Sequence, residues 1–268
     1  MEYKVGVVIS TYNNPKWLEK TLWGYMSQNC PADEIVIADD GSGEETTNLI
    51  NSFSSKLPIK RVWHKDVGFR KSEILNKALL AATADYLIFT DQDCIPRRDF
   101  IETHKKYARK GRFLSGGYFK LPMSISCNIS FDDVSSGRAF DLQWLRNNSL
   151  PLSFKYSKLI KNLTLREIID KLTPARASWN GCNSSGWRQD MLLIKGFNER
   201  MRYGGQDREF GERLVNAGFK SKQIRHQAIV LHLDHKRPYK TKESIDKNIA
   251  IRRETRRSGI IETPFGIR

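Results

Sequence analysis

Two acidic residues that lie one residue apart, Asp91 and Asp93, follow the apolar run YLIF at 86–89. Like charges this close to the end of a buried strand repel each other and are costly unless a positive group lies between them. Carboxylates at positions i and i+2 of a turn can both reach one hard divalent cation, whose other ligands are then phosphate oxygens and waters. A bare Asp-x-Asp pair is most often a solvated turn, so its chemistry depends on the elements that position it.

Polar residues follow three of the apolar runs in the first hundred residues. The predicted strands are residues 5–9, 34–38, 59–63 and 86–89, and the polar groups are Ser10-Thr11-Tyr12, Asp39-Asp40 and Asp91-Gln92-Asp93. The segments between the strands carry apolar side chains at helical spacing. Apolar strands that alternate with helices predict a parallel sheet covered on both faces, in which ligands bind beyond the carboxyl ends of the strands. The three polar groups therefore predict a single site.

A further candidate group lies at YGGQD, residues 203–207. Gly204 and Gly205 predict a tight turn, and a helix is predicted to begin directly after it and to stop at Gly218. Asp207 has a simple explanation as a capping carboxylate, because negative charge is stabilised in the first turn of a helix. The two glycines favour a catalytic role instead, since they leave room for a ligand to approach the backbone.

Two histidines, His232 and His235, lie near the end of the last predicted strand, residues 228–235. A single histidine at a strand end is usually structural, but a neutral imidazole is a good additional ligand for a metal site that already holds carboxylates. The pattern between residues 120 and 178 is less regular and predicts one helix at Leu163–Leu172.

The composition predicts a folded, basic protein with reduced cysteines. The formal net charge of +15 suggests a polyanionic partner, namely nucleic acid, an anionic membrane surface or a phosphate-bearing substrate, unless the charge only serves solubility. No apolar run approaches the ~18 residues of a membrane span. The N-terminal segment is a predicted strand rather than a signal peptide, and the four scattered cysteines favour a reducing compartment, so we expect a cytoplasmic location.

Two sets of segments together resemble a known family. VVISTYNNPKWLEKTL, IVIADDGS and ADYLIFTDQDCIPRRDF resemble the family-two glycosyltransferases with the GT-A fold. GFNERMRYGGQDREFGERL followed by VLHLDHKRP resembles the acceptor-side half of galactosyltransferases and chondroitin-type polymerases. The resemblance implies an α/β GT-A fold with a Rossmann-like, mostly parallel sheet flanked by helices. It divides one domain into a nucleotide-sugar-binding half (1–94) and an acceptor-binding, catalytic half (95–238), followed by a basic tail (239–268).

The resemblance also implies a role for individual residues. The nucleotide sugar would be bound by Ser10, Thr11, Tyr12, Asp39, Asp40, Arg70, Asn76, Asp91 and Gln92. Asp91 and Asp93 would hold Mn²⁺ or Mg²⁺, with His235 as a further ligand in preference to His232. Asp207 would be the catalytic base, and the acceptor would be bound by Trp179, Asn180, Gly205 and Gln206. The family usually has an acidic residue at position 206, so the identity of the acceptor does not carry over.

The implied function is metal-dependent, inverting transfer of a hexose or N-acetylhexosamine from a UDP-sugar. The acceptor would be a saccharide or a lipid-linked saccharide in the synthesis of bacterial surface polysaccharide or lipopolysaccharide, and the basic tail would bind that acceptor or the anionic inner face of the plasma membrane. A nucleotidyltransferase is disfavoured because no glycine-rich phosphate loop follows the first strand. A nucleic-acid-binding protein is disfavoured by the acidic strand ends, and Gln206 is the one feature that supports an inactive UDP-sugar-binding protein.

Overall fold

Strands and helices alternate through the first ninety residues, as the sequence predicts. The computed structural model describes residues 2–174, 176–236 and 239–268. The strands are β1 (Val5–Thr11), β2 (Glu34–Asp39), β3 (Ile59–Trp63) and β4 (Tyr86–Asp91), and the helices are α1 (Pro15–Met26), α2 (Glu44–Phe53) and α3 (Lys71–Ala81). β1 and β2 are almost wholly buried, whereas β3 is only partly buried because it forms an edge of the sheet.

The second half of the chain extends the same sheet. Its strands are β5 (Cys94–Pro96), β6 (Arg112–Lys120), β7 (Ser184–Trp187) and β8 (Lys220–His232). Its helices are α4 (Phe100–Tyr107), α5 (Met123–Asn128), α6 (Phe131–Ser135), α7 (Leu142–Asn147), α8 (Leu163–Leu172), α9 (Arg188–Leu193), α10 (Gln206–Asn216) and α11 (Lys242–Arg257). Short 3-10 helices lie at Arg138–Phe140 and Phe154–Leu159.

Eight strands of the described residues form one sheet in the order β3-β2-β1-β4-β7-β6-β8-β5. Strands β1 to β4 are parallel to one another. Strand β7 is antiparallel to both β4 and β6, and β6 is parallel to β8. Since β8 runs in the same direction as β4, the carboxyl ends of β1, β2, β4 and β8 lie at one edge of the sheet. This edge, called the donor edge below, brings the predicted polar groups together with the histidines.

Two predicted elements need correction. The last strand begins earlier than predicted, at Lys220, and ends at His232, because its ladder partner β6 ends at Lys120, which pairs with His232. His235 therefore lies in the loop after β8. The apolar run MLLI at 191–194 predicts a short buried segment, but it spans the end of α9, where Leu193 is 53% exposed.

The apolar core consists of clusters on the two faces of the sheet. One cluster joins alternate residues of β1 and β2 to α1, α2 and α4, and the other joins the remaining strand residues to α3, α9 and α10. A third cluster lies beneath residues 119–159 and contacts the end of β8. The core thus fixes the positions of the strand ends and of the first turns of α3 and α10.

The predicted basic tail is an integral part of the domain. Helix α11 packs against α10, where Asn216 Nδ2 donates to the backbone oxygens of Thr255 and Ile260 at 3.0 and 2.8 Å. Arg252 forms an ion pair of 2.6 Å with Glu212 on α10. Among the described helices, none has the length and apolar character that a membrane span requires.

Candidate active site

Asp91, at the end of β4, is paired with an ammonium group. Its Oδ1 accepts hydrogen bonds from Ser10 Oγ at 2.6 Å and from Lys71 Nζ at 2.5 Å. Burial disfavours the charged form of Lys71, but the charges of Asp91 and Asp207 outweigh this and raise the pKa of Lys71 above its ordinary value. The sequence interpretation missed Lys71, the first residue of α3, because the contact depends on α3 beginning beside the end of β4.

Asp93 has histidine partners instead. Its Oδ2 lies 2.8 Å from His235 Nε2 and 3.9 Å from His232 Nδ1. Burial raises the pKa of Asp93, but the hydrogen bond with His235 and the nearby charge of His232 outweigh it and lower the pKa to about 2. Asp93, Cys94 and His232 each offer a potential ligand atom, and these atoms lie within 4.8 Å of one another. The two carboxylates of the Asp-x-Asp pair therefore face different positive groups.

The histidine geometry suits a metal ligand. His232 Nδ1 and His235 Nδ1 each lie 2.9 Å from a backbone carbonyl oxygen, that of Leu233 and Lys236 respectively. A carbonyl oxygen only accepts, so each Nδ1 carries a hydrogen, and Nε2 is the nitrogen left to bind a metal through its lone pair, as in metal-binding histidines. In this structure Nε2 of His235 donates to Asp93 Oδ2, so it must lose that hydrogen before it can bind a metal. The two rings are stacked with centroids 5.6 Å apart. Carboxylate and imidazole donors of this kind fit a divalent cation.

The ends of β1 and β4 are tied together by a side-chain amide. Gln92 Oε1 accepts from Thr11 Oγ1 at 2.5 Å and from the Tyr12 N–H at 3.0 Å, and its Nε2 donates to the Tyr12 carbonyl at 3.2 Å. Tyr12 is 43% exposed, and its hydroxyl donates to Asp66 at 2.8 Å. Thr11 and Gln92 thus shape the donor edge, while the Tyr12 ring is exposed beside it.

Asp39 and Asp40 have different environments. Asp39 is fully buried, and its oxygens accept from the Arg61 guanidinium at 2.6 Å and from the Ser42 N–H at 2.8 Å. This corrects its predicted part in nucleotide binding, because it stabilises the turn after β2. Asp40 lies 2.7 Å from His64 Nε2. Burial raises the pKa of Asp40, and the hydrogen bond with His64 opposes that shift.

Arg70 links this region to the start of α3. Its N–H donates to Asp40 at 3.0 Å, and its guanidinium donates to Glu73 at 3.0 Å. Within the described parts of the chain, the buried Nε of Arg70 has no hydrogen-bond partner. An unpaired guanidinium nitrogen at a helix N-terminus is well suited to an anionic ligand.

Two further predicted residues have structural positions. Asn76 is buried and fastens α3 to the following segment, accepting from the Phe197 N–H at 2.6 Å and donating to Glu199 at 2.8 Å. Trp179 is 0% exposed and packs against Phe210, with ring centroids 4.8 Å apart. The predictions that Asn76 binds the nucleotide sugar and that Trp179 binds the acceptor are therefore corrected, because neither has exposed surface for a ligand. The sequence alone could not separate the two roles, because a tryptophan before a loop can equally pack in the core or bind a sugar.

Asp207 is the second residue of α10 and follows the predicted glycine turn, in which Gly204 and Gly205 have φ of 106° and 99°. Burial raises the pKa of Asp207, and the charge of Lys71 opposes this. Its Oδ1 is buried and has no hydrogen-bond partner among the residues that the structure describes. A Cβ at Gly181 would lie 2.7 Å from that oxygen, so only glycine lets the loop approach Asp207. A buried carboxylate with one unengaged oxygen can accept a proton.

The other predicted acceptor residues shape the loops around Asp207. Gln206 is 4% exposed, and its Oε1 accepts from the Gly204 N–H at 3.0 Å. Asn180 Nδ2 donates to the Asn183 carbonyl at 3.0 Å. A Cβ at Gly205 would lie 3.0 Å from the Arg252 side chain on α11.

Helix α11 holds the turn before Asp207, which the sequence interpretation missed. Asn248 is 0% exposed, and its Nδ2 donates to three consecutive backbone oxygens, those of Arg202, Tyr203 and Gly204, at 2.9, 3.2 and 3.0 Å. Ser244 Oγ donates to the Tyr203 oxygen at 2.9 Å. The only sequence signal was an amide in an otherwise basic helix, and its meaning depends on where α11 packs.

Comparisons with known proteins agree with this architecture. Residues 6–120 match the family model described as Glycosyl transferase family 2, and residues 169–236 match the model described as the N-terminal domain of galactosyltransferase. Chondroitin synthase of Escherichia coli is 26% identical over 231 residues, which cover 80% of this chain and 32% of that protein. The chain thus spans about a third of that relative's length.

Two solved structures share the fold. The mannosyltransferase PcManGT from Pyrobaculum calidifontis, in complex with GDP-Man and Mn²⁺, has a TM-score of 0.60 at 18% identity and covers 89% of this chain and 59% of its own. S. aureus TarS 1-349, in complex with UDP-GlcNAc, has a TM-score of 0.60 at 16% identity and covers 87% and 59%. Both likenesses confirm the expected GT-A fold.

Proposed function

Because this chain is a glycosyltransferase with a family-two domain and the GT-A fold, we propose that it transfers a hexose or N-acetylhexosamine from a UDP-sugar to a saccharide acceptor with inversion. The observation that carries the proposal is the convergence at the donor edge of Asp91, Asp93 and Asp207 with Lys71 and His235. Displacement at an anomeric carbon needs a stabilised leaving group and a deprotonated nucleophile. Asp93, His235 and Lys71 would serve the leaving group, and Asp207 would serve the nucleophile.

The leaving-group end would use both a metal and a lysine. Asp93 and His235 would hold Mn²⁺ or Mg²⁺, with His232 and Asp91 as further candidate ligands, and the ion would act as a Lewis acid on the departing diphosphate. Lys71 contributes a positive charge of its own, fixed beside Asp91. We assign it a share of the neutralisation of the diphosphate, together with the N-terminus of α3.

The nucleophile end would use Asp207. Its unengaged, buried Oδ1 accepts the proton of the acceptor hydroxyl as that oxygen attacks the sugar. Gly181 lets the loop before β7 approach this carboxylate closely, and Gly204 and Gly205 let side chains of α11 approach the turn that precedes it. Gln206, which accepts from the backbone of this turn, keeps the carboxylate in place rather than taking the proton.

The biological setting is part of the proposal. Similarity to chondroitin synthase supports a saccharide acceptor, free or lipid-linked, in the synthesis of bacterial surface polysaccharide or lipopolysaccharide on the cytoplasmic side of the membrane. The donor nucleotide needs an experimental test, because the two structures with a similar fold hold different nucleotide sugars. PcManGT was solved with GDP-Man and TarS with UDP-GlcNAc.

A donor screen tests the proposal. Purified protein is incubated with each common UDP- and GDP-sugar and a mixture of oligosaccharide acceptors, with Mn²⁺, with Mg²⁺ or with chelator, and nucleoside diphosphate release and product mass are measured. We expect acceptor-dependent release of UDP from one or two donors, and no release by Asp207→Asn. Formation of nucleotide sugar from a sugar phosphate and UTP, with pyrophosphate release, would instead show a nucleotidyltransferase.

A further inference from the structure

Helix α8 turns its apolar side toward solvent. Leu165, Ile168 and Leu172 are 43%, 47% and 76% exposed. Their spacing of three and four residues places them on one face of the helix. An ordinary surface helix buries such a stripe against the core and exposes its charged side.

The opposite side of α8 buries charge with defined partners. Arg166 is 6% exposed and forms an ion pair of 3.3 Å with Asp99. Asp170 accepts from the backbone N–H of His226 at 3.0 Å and lies 2.7 Å from His226 Nδ1. Rotating the helix to bury its leucines would leave these groups unpaired, which is costly for buried charges. The outward apolar face is therefore specified by the contacts beneath it.

The surroundings of this face are basic. Residues 141–172, which include α8, contain six Lys or Arg and three Asp or Glu. The side chain of Lys161, just before α8, is 77% exposed and pairs with Asp141 at 2.6 Å, and Lys171 is exposed on α8 itself. Long lysine side chains beside an apolar stripe match the boundary of an anionic bilayer, where the chains reach headgroup phosphates while the stripe contacts acyl groups. This charge complementarity favours a lipid surface over another protein.

The segment that carries α8 also borders the active site. Lys158 Nζ donates to the Tyr118 carbonyl at 2.8 Å, and the Tyr118 ring lies 5.9 Å from the ring of His232. Helix α8 itself contacts His226 of β8 and Tyr107 at the end of α4, so it lies toward the amino-terminal part of β8, and the segment before it reaches the histidines.

We propose that the outward face of α8, formed by Leu165, Ile168 and Leu172 with the lysines around it, binds an anionic lipid bilayer. Binding there would hold the domain at the membrane in which a lipid-linked acceptor is anchored; this last step rests on the proposed glycosyl transfer, whereas the lipid contact does not. The contact expected of the C-terminal basic segment is thereby assigned to α8, because α11 is packed against α10.

Vesicle co-sedimentation tests the proposal without donor or acceptor. The full chain is mixed with vesicles of phosphatidylcholine containing one third phosphatidylglycerol, and with vesicles of phosphatidylcholine alone. The wild type should bind the anionic vesicles preferentially, and less at high salt. Leu165→Ser with Leu172→Ser should weaken binding at least about tenfold, because two leucines no longer enter the apolar boundary.

Equally exposed leucines elsewhere provide the matched control. Leu80 and Leu193 are 54% and 53% exposed on α3 and α9, so Leu80→Ser with Leu193→Ser should bind vesicles as the wild type does. Circular dichroism verifies the fold of each variant.

Equal vesicle binding by the α8 variant and the wild type would overturn the proposal. A wild-type dimer that does not bind vesicles, and that the α8 variant converts to a monomer, would also overturn it and show a protein interface. Transfer activity is measured separately, so failure of the lipid contact is distinguishable from failure of the proposed reaction.

Discussion

Among the described residues, the donor edge and helix α8 both bury charged side chains, but of the two only the donor edge leaves some of their atoms without a hydrogen-bond partner. Beneath α8, Arg166 and Asp170 each have a partner. At the donor edge, Asp207 Oδ1 and Arg70 Nε are buried without a hydrogen-bond partner in the described chain. Buried polar atoms are normally paired, so the paired charges at α8 indicate architecture and the unpaired ones indicate where a ligand completes the site.

Replacing Asp207 should have the largest effect on the donor edge. Asp207→Asn keeps the shape of the side chain but removes the proposed base, so we expect turnover to fall ~10²–10⁴-fold. The affinity for UDP should stay within a few-fold, as measured by calorimetry on the same folded variant. Asp246→Asn, an exchange of the same kind on α11, should turn over normally. Near-normal turnover by Asp207→Asn would place the base elsewhere.

The pH profile gives a second view of the same carboxylate. Burial raises the pKa of Asp207, so the base is lost at a higher pH than an ordinary carboxyl as the pH falls. Lys71 lowers this pKa, so Lys71→Met should move the acidic limb of kcat/KM toward higher pH. An acidic limb that is unchanged in Lys71→Met would show that Asp207 does not control it.

Removing the metal ligands should have the next largest effect. Direct Mn²⁺ titration should show a loss of more than about tenfold in affinity for Asp93→Ala and for His235→Ala, because each removes a proposed metal ligand. His232→Ala should lose less, since His232 Nδ1 is 3.9 Å from Asp93 whereas His235 Nε2 is 2.8 Å away. The reverse order would exchange the roles of the two histidines.

Lys71→Met should distinguish the contribution of the lysine to UDP binding from the contribution of the metal. Without Lys71, Asp91 is no longer engaged by an ammonium, so Mn²⁺ alone should bind at least as tightly as to the wild type. UDP in the presence of chelator should bind several-fold more weakly, because the ammonium charge of Lys71 is lost. Lys60→Met, which removes an exposed lysine bonded to the Ala81 carbonyl, is the matched control. Unchanged UDP affinity in chelator would exclude a role for Lys71 in binding the diphosphate.

The smallest effect is expected at the contact between α11 and the catalytic turn. Asn248→Ala removes the donor from the backbone oxygens of Arg202 and Gly204 and leaves that of Tyr203 with Ser244 Oγ alone, so we expect kcat to fall about two- to threefold through displacement of Asp207. KM for the donor should change little, because the donor residues lie on other elements. Asn216→Ala removes a contact between α10 and α11 that is distant from the turn and should spare kcat. Equal losses in both variants would mean that α11 only stabilises the fold.

The sequence was informative where a role depends on local pattern. The strands β1, β2 and β4 were predicted because strands buried on both faces are apolar throughout. Asp91 and Asp93 were singled out because they follow such a strand, and Asp207 because it follows the glycine pair. Lys71 and Asn248 were missed because their roles depend on how distant elements pack. The error at Trp179 has the same origin, since its exposure is decided by α10 rather than by its own neighbours.

For helix α8, too, the sequence predicted the element but not its long-range contacts. Periodicity predicted the helix with the bounds that the structure has, Leu163–Leu172. It gave no indication that the charged side is buried, because that follows from Asp99 and His226, which lie far from α8 in the sequence. Pattern thus predicts the element, and long-range pairing determines which face it presents.

Calorimetry of UDP binding tests most directly whether the buried charges of the donor edge form a nucleotide-diphosphate site. Titrations are made with Mn²⁺ and with chelator, on the wild type and on Asp93→Ala. The wild type should bind UDP much more tightly with Mn²⁺ than with chelator, and Asp93→Ala should lose most of that difference while keeping the weaker, metal-independent binding. Equal affinity of the wild type with Mn²⁺ and with chelator, or an unchanged metal effect in Asp93→Ala, would contradict the account.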